Sequence, residues 1–345
     1  MVRRATFEEF TTLPNGSWEF GAGLNLIVGD NGVGKSHVLK AVYSLLKPTA
    51  SPRVDLAKSA LERAYAEKLR AVFLPDRLGR LVKRGRGRRT CTVSLDMAEP
   101  KRSVTIGFAT NSESTVRVDR APQIPLSANP VFFPTRELIT LAGWFPPHYE
   151  QFAIPIEQTY SDTASMLGGA AFRGPREQQI STLLEPLERA MGGKVVLHGD
   201  TGRLYLKTAA ETLELPLVAE GHRKLAMVAR LIATGVLLKQ GYLLWDEPET
   251  NLNPRLLRTI ASTILDLADA GVQVFVATHS MFLIRELELL LSDRRATSAE
   301  ARFFALAAAD GTVVLEQGDT PDDMATIVAL EAELQQSDRY LKADF

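Results

Sequence analysis

Leu24-Asn25-Leu26-Ile27-Val28-Gly29-Asp30-Asn31-Gly32-Val33-Gly34-Lys35-Ser36 decides how this chain of 345 residues is read. Its first five residues are a compact apolar run of strand composition. Its last eight satisfy the spacing G-x-x-x-x-G-K-[ST] at every position. Behind them Val38, Leu39, Val42, Leu45 and Leu46 recur at helical spacing until Pro48 stops the helix. Strand, glycine-rich loop and helix thus follow one another without interruption. The chemistry accounts for the spacing. Glycines let the backbone curl so that successive N–H groups converge on one anion, and the helix adds the positive end of its dipole. Asn31, Gly32, Val33, Gly34, Lys35, Ser36 and His37 are expected to line a bound nucleotide. Lys35 would reach the β- and γ-phosphates and the Ser36 hydroxyl a Mg2+ ion.

A second constellation lies far downstream. Leu243-Leu244-Trp245-Asp246-Glu247-Pro248 places two carboxylates at the end of an apolar strand. In an open parallel sheet the ligand crevice lies at that carboxyl end. Asp246 therefore reads as the second Mg2+ holder, and Glu247 as the group that polarises the attacking water. Standing alone, the pair also admits a reading as anions at the start of a helix. His279 follows the strand Val272 to Ala277, where it is placed to donate to the terminal phosphate. Lys35, Glu247 and His279 form the expected catalytic set.

These segments resemble the ABC-type ATPase head, in the branch that holds SMC chromosome-maintenance, RecF-like and OLD-like ATPases. Leu24 to Gly32 is similar to that branch's GLN-x-I-x-G-x-N-G lead. Asp246 to Pro254 is similar to its Walker B and D-loop, and Ala277-Thr278-His279-Ser280 to its histidine switch. The resemblance covers residues 1 to 48 and 216 to 290 and fades between them. It implies ATP and Mg2+ as ligands, and heads that pair as a homodimer or higher oligomer around the nucleotide. The signature segment departs from the family's LSGGQ: Ala219-Glu220-Gly221-His222-Arg223-Lys224 keeps one glycine and loses the serine. Gly221, His222 and Arg223 are the expected trans contacts. The Q-loop glutamine is also missing, and Thr135-Arg136-Glu137 stands in its place. Standalone heads of this compact kind resemble the ATPase subunits of bacterial anti-phage systems, whose nuclease or toxin effector acts in trans; a RecF-like DNA-repair or DNA-clamping ATPase is the alternative.

The implied fold is α/β: a P-loop NTPase with an ABC-type head, a mostly parallel sheet, an antiparallel β meander and an inserted helical lobe. After residue 216 helix and strand patterns alternate, as a parallel sheet requires. One domain is expected over 1–345, with insertions at about 50–125 and about 145–215. The first would hold a helix (Ala57 to Ala71), a basic run and a meander. The second would hold helices and a hairpin turning at Gly199 to Gly202. A terminal helix is expected over Pro321 to Leu341. In the basic run Arg77, Arg80, Lys83, Arg84, Arg86, Arg88 and Arg89 give seven cations in thirteen residues with no acid among them. Glycines at 79, 85 and 87 suit such a stretch to a phosphate backbone. A solvated hairpin edge or an acidic protein partner fits the same residues.

Composition sets the bounds. Lys and Arg number 40 against 41 Asp and Glu, a net charge of -1, which excludes an all-over basic coat but not a local DNA-binding patch. One cysteine, Cys91, leaves no internal disulfide and no thiolate zinc cage. The most apolar long stretch, Leu225 to Trp245, is broken by Arg230 and Lys239, so no membrane span and a cytoplasmic location are expected. Asp76-Arg77-Leu78-Gly79 mimics a GTPase D-x-x-G, but no N-K-x-D base-recognition motif accompanies it.

Overall fold

The computed structural model describes residues 1–172, 174, 177–198, 202–238, 241–293, 300–309, 311–324, 336 and 339–342. The chain opens with strands β1 (Val2–Glu8), β2 (Gly16–Glu19) and β3 (Leu24–Gly29), then helices α1 (Lys35–Leu46) and α2 (Lys58–Phe73). Strands β4 (Thr90–Met97), β5 (Val104–Ala109), β6 (Arg117–Arg120) and β7 (Pro130–Phe133) follow. The lobe comprises α3 (Phe145–Phe152), α4 (Gln158–Leu167), α5 (Glu177–Met191), β8 (Gly193–Leu197), β9 (Leu204–Thr208) and β10 (Thr212–Glu214). The alternating part runs α6 (Glu220–Ala233), β11 (Tyr242–Asp246), α7 (Pro254–Asp269), β12 (Gln273–Thr278), α8 (Met281–Asp293), β13 (Ala301–Ala309) and β14 (Thr312–Gly318).

Six strands form the central sheet in the order β14-β13-β3-β12-β11-β7. Every neighbouring pair is parallel except β13 with β14. The inner strands β3, β11 and β12 face two cores, which is why they are apolar along nearly their whole length. Leu26, Val28, Trp245, Val276 and Phe303 belong to the core shared with α5 to α8. Ile27, Leu244, Phe275, Ala277 and Phe304 belong to the core shared with α1, α2 and the antiparallel strands.

The meander expected within 50–125 is continuous with the amino-terminal strands. β4 pairs antiparallel with β1 (Thr6 opposite Ser94), giving a five-stranded sheet β2-β1-β4-β5-β6. Stacked Trp18 and Phe304, 5.4 Å apart, and edge-on Phe20 and Phe275, 4.9 Å apart, fill the gap between the two sheets. Fully buried Gln273 joins them at one end: its Oε1 accepts the Val2 N–H (2.8 Å) and its Nε2 donates to the carbonyls of Val2 (2.7 Å) and Gly21 (2.8 Å).

Where the sequence pattern alone places a helix over Lys224 to Leu238, α6 runs from Glu220 to Ala233 and a separate single turn covers Val236–Leu238. The hairpin β8–β9 gains a third strand, β10. Gly199 to Thr201, and most of the helix expected over Pro321 to Leu341, lie outside the described residues. Among the described residues no helix is long and apolar enough to cross a membrane.

Candidate functional site

Strands β3, β12 and β11 end side by side: Val28 lies opposite Thr278, and Ala277 opposite Asp246. That register brings together three loops the sequence keeps far apart. The loop after β3 curls through Gly32 (φ 84) and Gly34 (φ 107), a left-handed backbone that favours glycine. Gly34 caps α1, and a Cβ there would lie 2.7 Å from the Leu13 side chain. The turn Thr11–Leu13 therefore backs the loop, a neighbour that no local pattern announced. Val33 is buried beneath the loop, while Asn31 and Gly32 are exposed on it.

Lys35 is 5% exposed, and its ammonium donates to the carbonyls of Gly29 (2.7 Å) and Asp30 (2.8 Å). Burial lowers its pKa, opposed by Glu247, Asp246, Glu249 and Asp30. The Ser36 hydroxyl donates to Asp246 Oδ1 at 2.9 Å, although the two residues are 210 positions apart. Burial pushes the Asp246 carboxyl up to about 6, with the Ser36 hydrogen bond acting the other way. His37 lies edge-on to Phe73, and burial lowers its pKa to about 4. Its Nδ1 and the Thr11 hydroxyl are buried without a hydrogen-bond partner, which leaves polar capacity for a ligand.

Glu247 holds φ 48, a strained conformation for a non-glycine residue, with its N–H bonded to Ala277 O at 2.9 Å. Its carboxylate lies 3.2 Å from His279 Nδ1. Glu249 accepts from the Thr278 hydroxyl at 2.6 Å and stands 3.7 Å from the same histidine nitrogen. Lys35, Ser36, Asp246, Glu247 and His279 thus share one crevice. Among the described residues no group of three or more His, Cys, Asp or Glu is arranged to hold a metal ion. Ser36 and Asp246, with oxygens of a bound triphosphate, would make a donor set that fits Mg2+.

The signature segment is built tightly against the turn after β11. A Cβ on Gly221 would meet the Leu256 side chain at 3.0 Å and Asn251 O at 3.3 Å. Asn251 Nδ2 donates to Glu220 Oε1 at 2.8 Å. Ala219, at the cap position, makes no side-chain hydrogen bond to the helix end. His222 is half-buried on the first turn of α6. Arg223 is held within its own chain, by Glu137 (2.8 Å) and by Val218 O (2.8 Å).

The basic run divides. Arg89 pairs with Glu9 (2.7 Å), Arg77 with Glu113 (3.5 Å), and Lys83 donates to Leu13 O (3.2 Å). Arg80, Arg84, Arg86 and Arg88 are exposed, with no ion pair among the described residues. An open cleft of about 650 Å³ runs beside Arg77, Arg80, Lys83 and Arg84.

A family model described as "AAA domain, putative AbiEii toxin, Type IV TA system" matches residues 109–285, just over half of the chain. The chain belongs to this AAA-domain family. The match takes in the signature segment, both carboxylates and His279, while the phosphate loop precedes it. Two solved structures resemble the AAA-domain chain over nearly its whole length. One is an Smc head bound to the C-winged helix domain of ScpA, at 14% identity and a TM-score of 0.59, covering 94% of this chain and 99% of that one. The other is an Smc head domain with an extended coiled coil, bound to the C-terminal domain of ScpA, from Pyrococcus furiosus. It is 12% identical with a TM-score of 0.54, covering 98% of this chain and 99% of that one. The AAA-domain chain has the fold of an SMC-like, ABC-type P-loop ATPase head. No curated protein matches its sequence.

Proposed function

We propose that the chain is an ATP-driven switch. ATP binds with Mg2+ in the crevice, two copies pair across the nucleotide, and hydrolysis parts them. The paired state would control an effector acting in trans, a nuclease or toxin, in anti-phage defence. The 2.9 Å contact between Ser36 and Asp246 carries the reading, because it joins the phosphate loop to the strand-end carboxylates. Ser36 and Asp246 would hold the Mg2+, whose charge offsets that of the phosphates. Glu247 would accept a hydrogen bond from the attacking water. The water oxygen bonds to the γ-phosphorus as the bond to the β–γ bridging oxygen breaks, leaving ADP and phosphate. Lys35 would meet the charge on the β- and γ-oxygens, and His279, beside Glu247, would donate to the γ-phosphate. The test is ATP turnover with Mg2+ or with EDTA. Turnover should need the metal and vanish in Lys35→Ala together with ATP binding; unchanged nucleotide affinity in that variant would remove the phosphate-loop assignment.

A second reading, a RecF-like DNA clamp, is favoured by one observation. The four free arginines flank a short segment, Leu81 to Lys83, that is fastened beside the turn backing the phosphate loop. Lys83 N–H donates to Glu9 O and Thr11 N–H to Leu81 O, both at 2.7 Å. Fluorescence anisotropy with duplex DNA separates the readings. Salt-sensitive binding lost in Arg84→Glu/Arg86→Glu/Arg88→Glu supports the clamp. Equal binding by that variant rejects it.

A further inference from the structure

Lys224, on the second turn of α6, is 2% exposed and makes no ion pair among the described residues. An ammonium has three N–H donors, and here all three go to backbone carbonyls: Thr135 O at 3.2 Å, Glu247 O at 3.1 Å and Thr250 O at 3.0 Å. The acceptors come from three different places. Thr135 lies in the loop after β7, where the family's Q-loop glutamine is missing. Glu247 is the water-facing carboxylate, held at φ 48. Thr250 lies in the turn leading to α7, next to Asn251, which is itself bonded to Glu220 on α6. Burial lowers the lysine's pKa to about 8, opposed by Glu249, Glu220, Glu247 and Asp246, so the group stays charged at neutral pH. A buried charge with neutral acceptors only is costly, and it persists where the fold needs its geometry.

We propose that Lys224 is a positioning residue for hydrolysis: its ammonium makes the signature helix, the loop after β7 and the Glu247 backbone move as one body, so that displacement of the helix end is passed to the carboxylate facing the water. The inference rests on the ATPase reading above. It assigns Lys224 no contact with the nucleotide. Its role is to keep Glu247 in the strained conformation that aims the side chain into the crevice.

Lys224→Met and Lys224→Arg test it, with turnover, ATP dissociation constant and thermal midpoint measured on each and on the wild-type chain. Lys224→Met should lower kcat by about 10²-fold, the scale of a displaced catalytic group, and leave ATP affinity within about threefold. Lys224→Arg, which keeps the charge and several donors, should restore a substantial part of kcat. Turnover per folded molecule unchanged in Lys224→Met overturns the proposal. Affinity and kcat falling together with the folded fraction also overturn it, because that is what a purely structural lysine would do. An arginine variant no better than methionine defeats it too, since the charge would then be irrelevant. A wild-type chain that binds ATP but never hydrolyses it instead sinks the ATPase reading, and this proposal with it.

Discussion

Asp246→Asn should make the metal-free protein more stable while destroying its use of Mg2+. Asparagine keeps the shape and still offers an oxygen to the Ser36 hydroxyl, but removes the charge. Asp246 is 8% exposed, and burial raises its pKa from 3.8 to about 6. At 1.36 kcal/mol per pKa unit the charged form costs the folded state about 3 kcal/mol. The sign follows from the raised folded value. The neutral carboxyl favours folding below the unfolded pKa, and this advantage is lost as the pH climbs through about 6. The variant should therefore gain up to about 3 kcal/mol at pH 8 and almost nothing at pH 4. With an unfolding entropy near 2.1 cal/mol/K per residue, that gain corresponds to a rise in Tm of about 4 °C for a chain of this size. The assay is thermal unfolding in EDTA at both pH values, repeated with ATP and Mg2+. A variant no more stable than wild type at pH 8, or equally stabilised at pH 4, would refute the reasoning. So would a variant still stabilised by Mg2+ as strongly as the wild type.

Three further outcomes are expected. Glu247→Gln should bind ATP but hydrolyse it at least ~10²-fold more slowly, and light scattering should show an ATP-enhanced dimer; an ATP-indifferent monomer would defeat the paired-head reading. Gly221→Leu, crowded by Leu256 and Asn251, should impair turnover more than ATP affinity in the single head, and equal losses in both would speak against a trans role for that helix end. Gln273→Ala should lower the unfolding free energy in urea by about 2–4 kcal/mol, because it leaves buried Val2 and Gly21 groups unpaired. A loss under ~0.5 kcal/mol would mean those groups find other partners.

The parts legible in the sequence were those whose chemistry is local. Gly32, Gly34 and Lys35 announce a phosphate loop because backbone geometry and charge are encoded residue by residue. Strands β11 and β12 read clearly because each is buried on both faces. Pairing of β4 with β1 was not legible, since residues some ninety positions apart carry no shared local signal. The first turn of α6 carries no signal of its own, because Glu220, Gly221, His222 and Arg223 show no apolar periodicity. The helix is fixed there instead by contact with Asn251 and Leu256. From the sequence, Arg223 is expected as a trans contact at a helix end. Only the folded chain shows Arg223 tied to Glu137 and Lys224 buried beneath three carbonyls. The empty Q-loop position likewise gained meaning only once Thr135 and Glu137 were seen as their partners.

A crystal grown with Mg2+ and a non-hydrolysable ATP analogue measures the central claim directly. The account predicts a triphosphate wrapped by Gly32 to Ser36, with the cation between Ser36 Oγ and Asp246 Oδ1 and the γ-phosphate facing Glu247. Nucleotide bound elsewhere, or a cation that leaves Ser36 and Asp246 untouched, would contradict it.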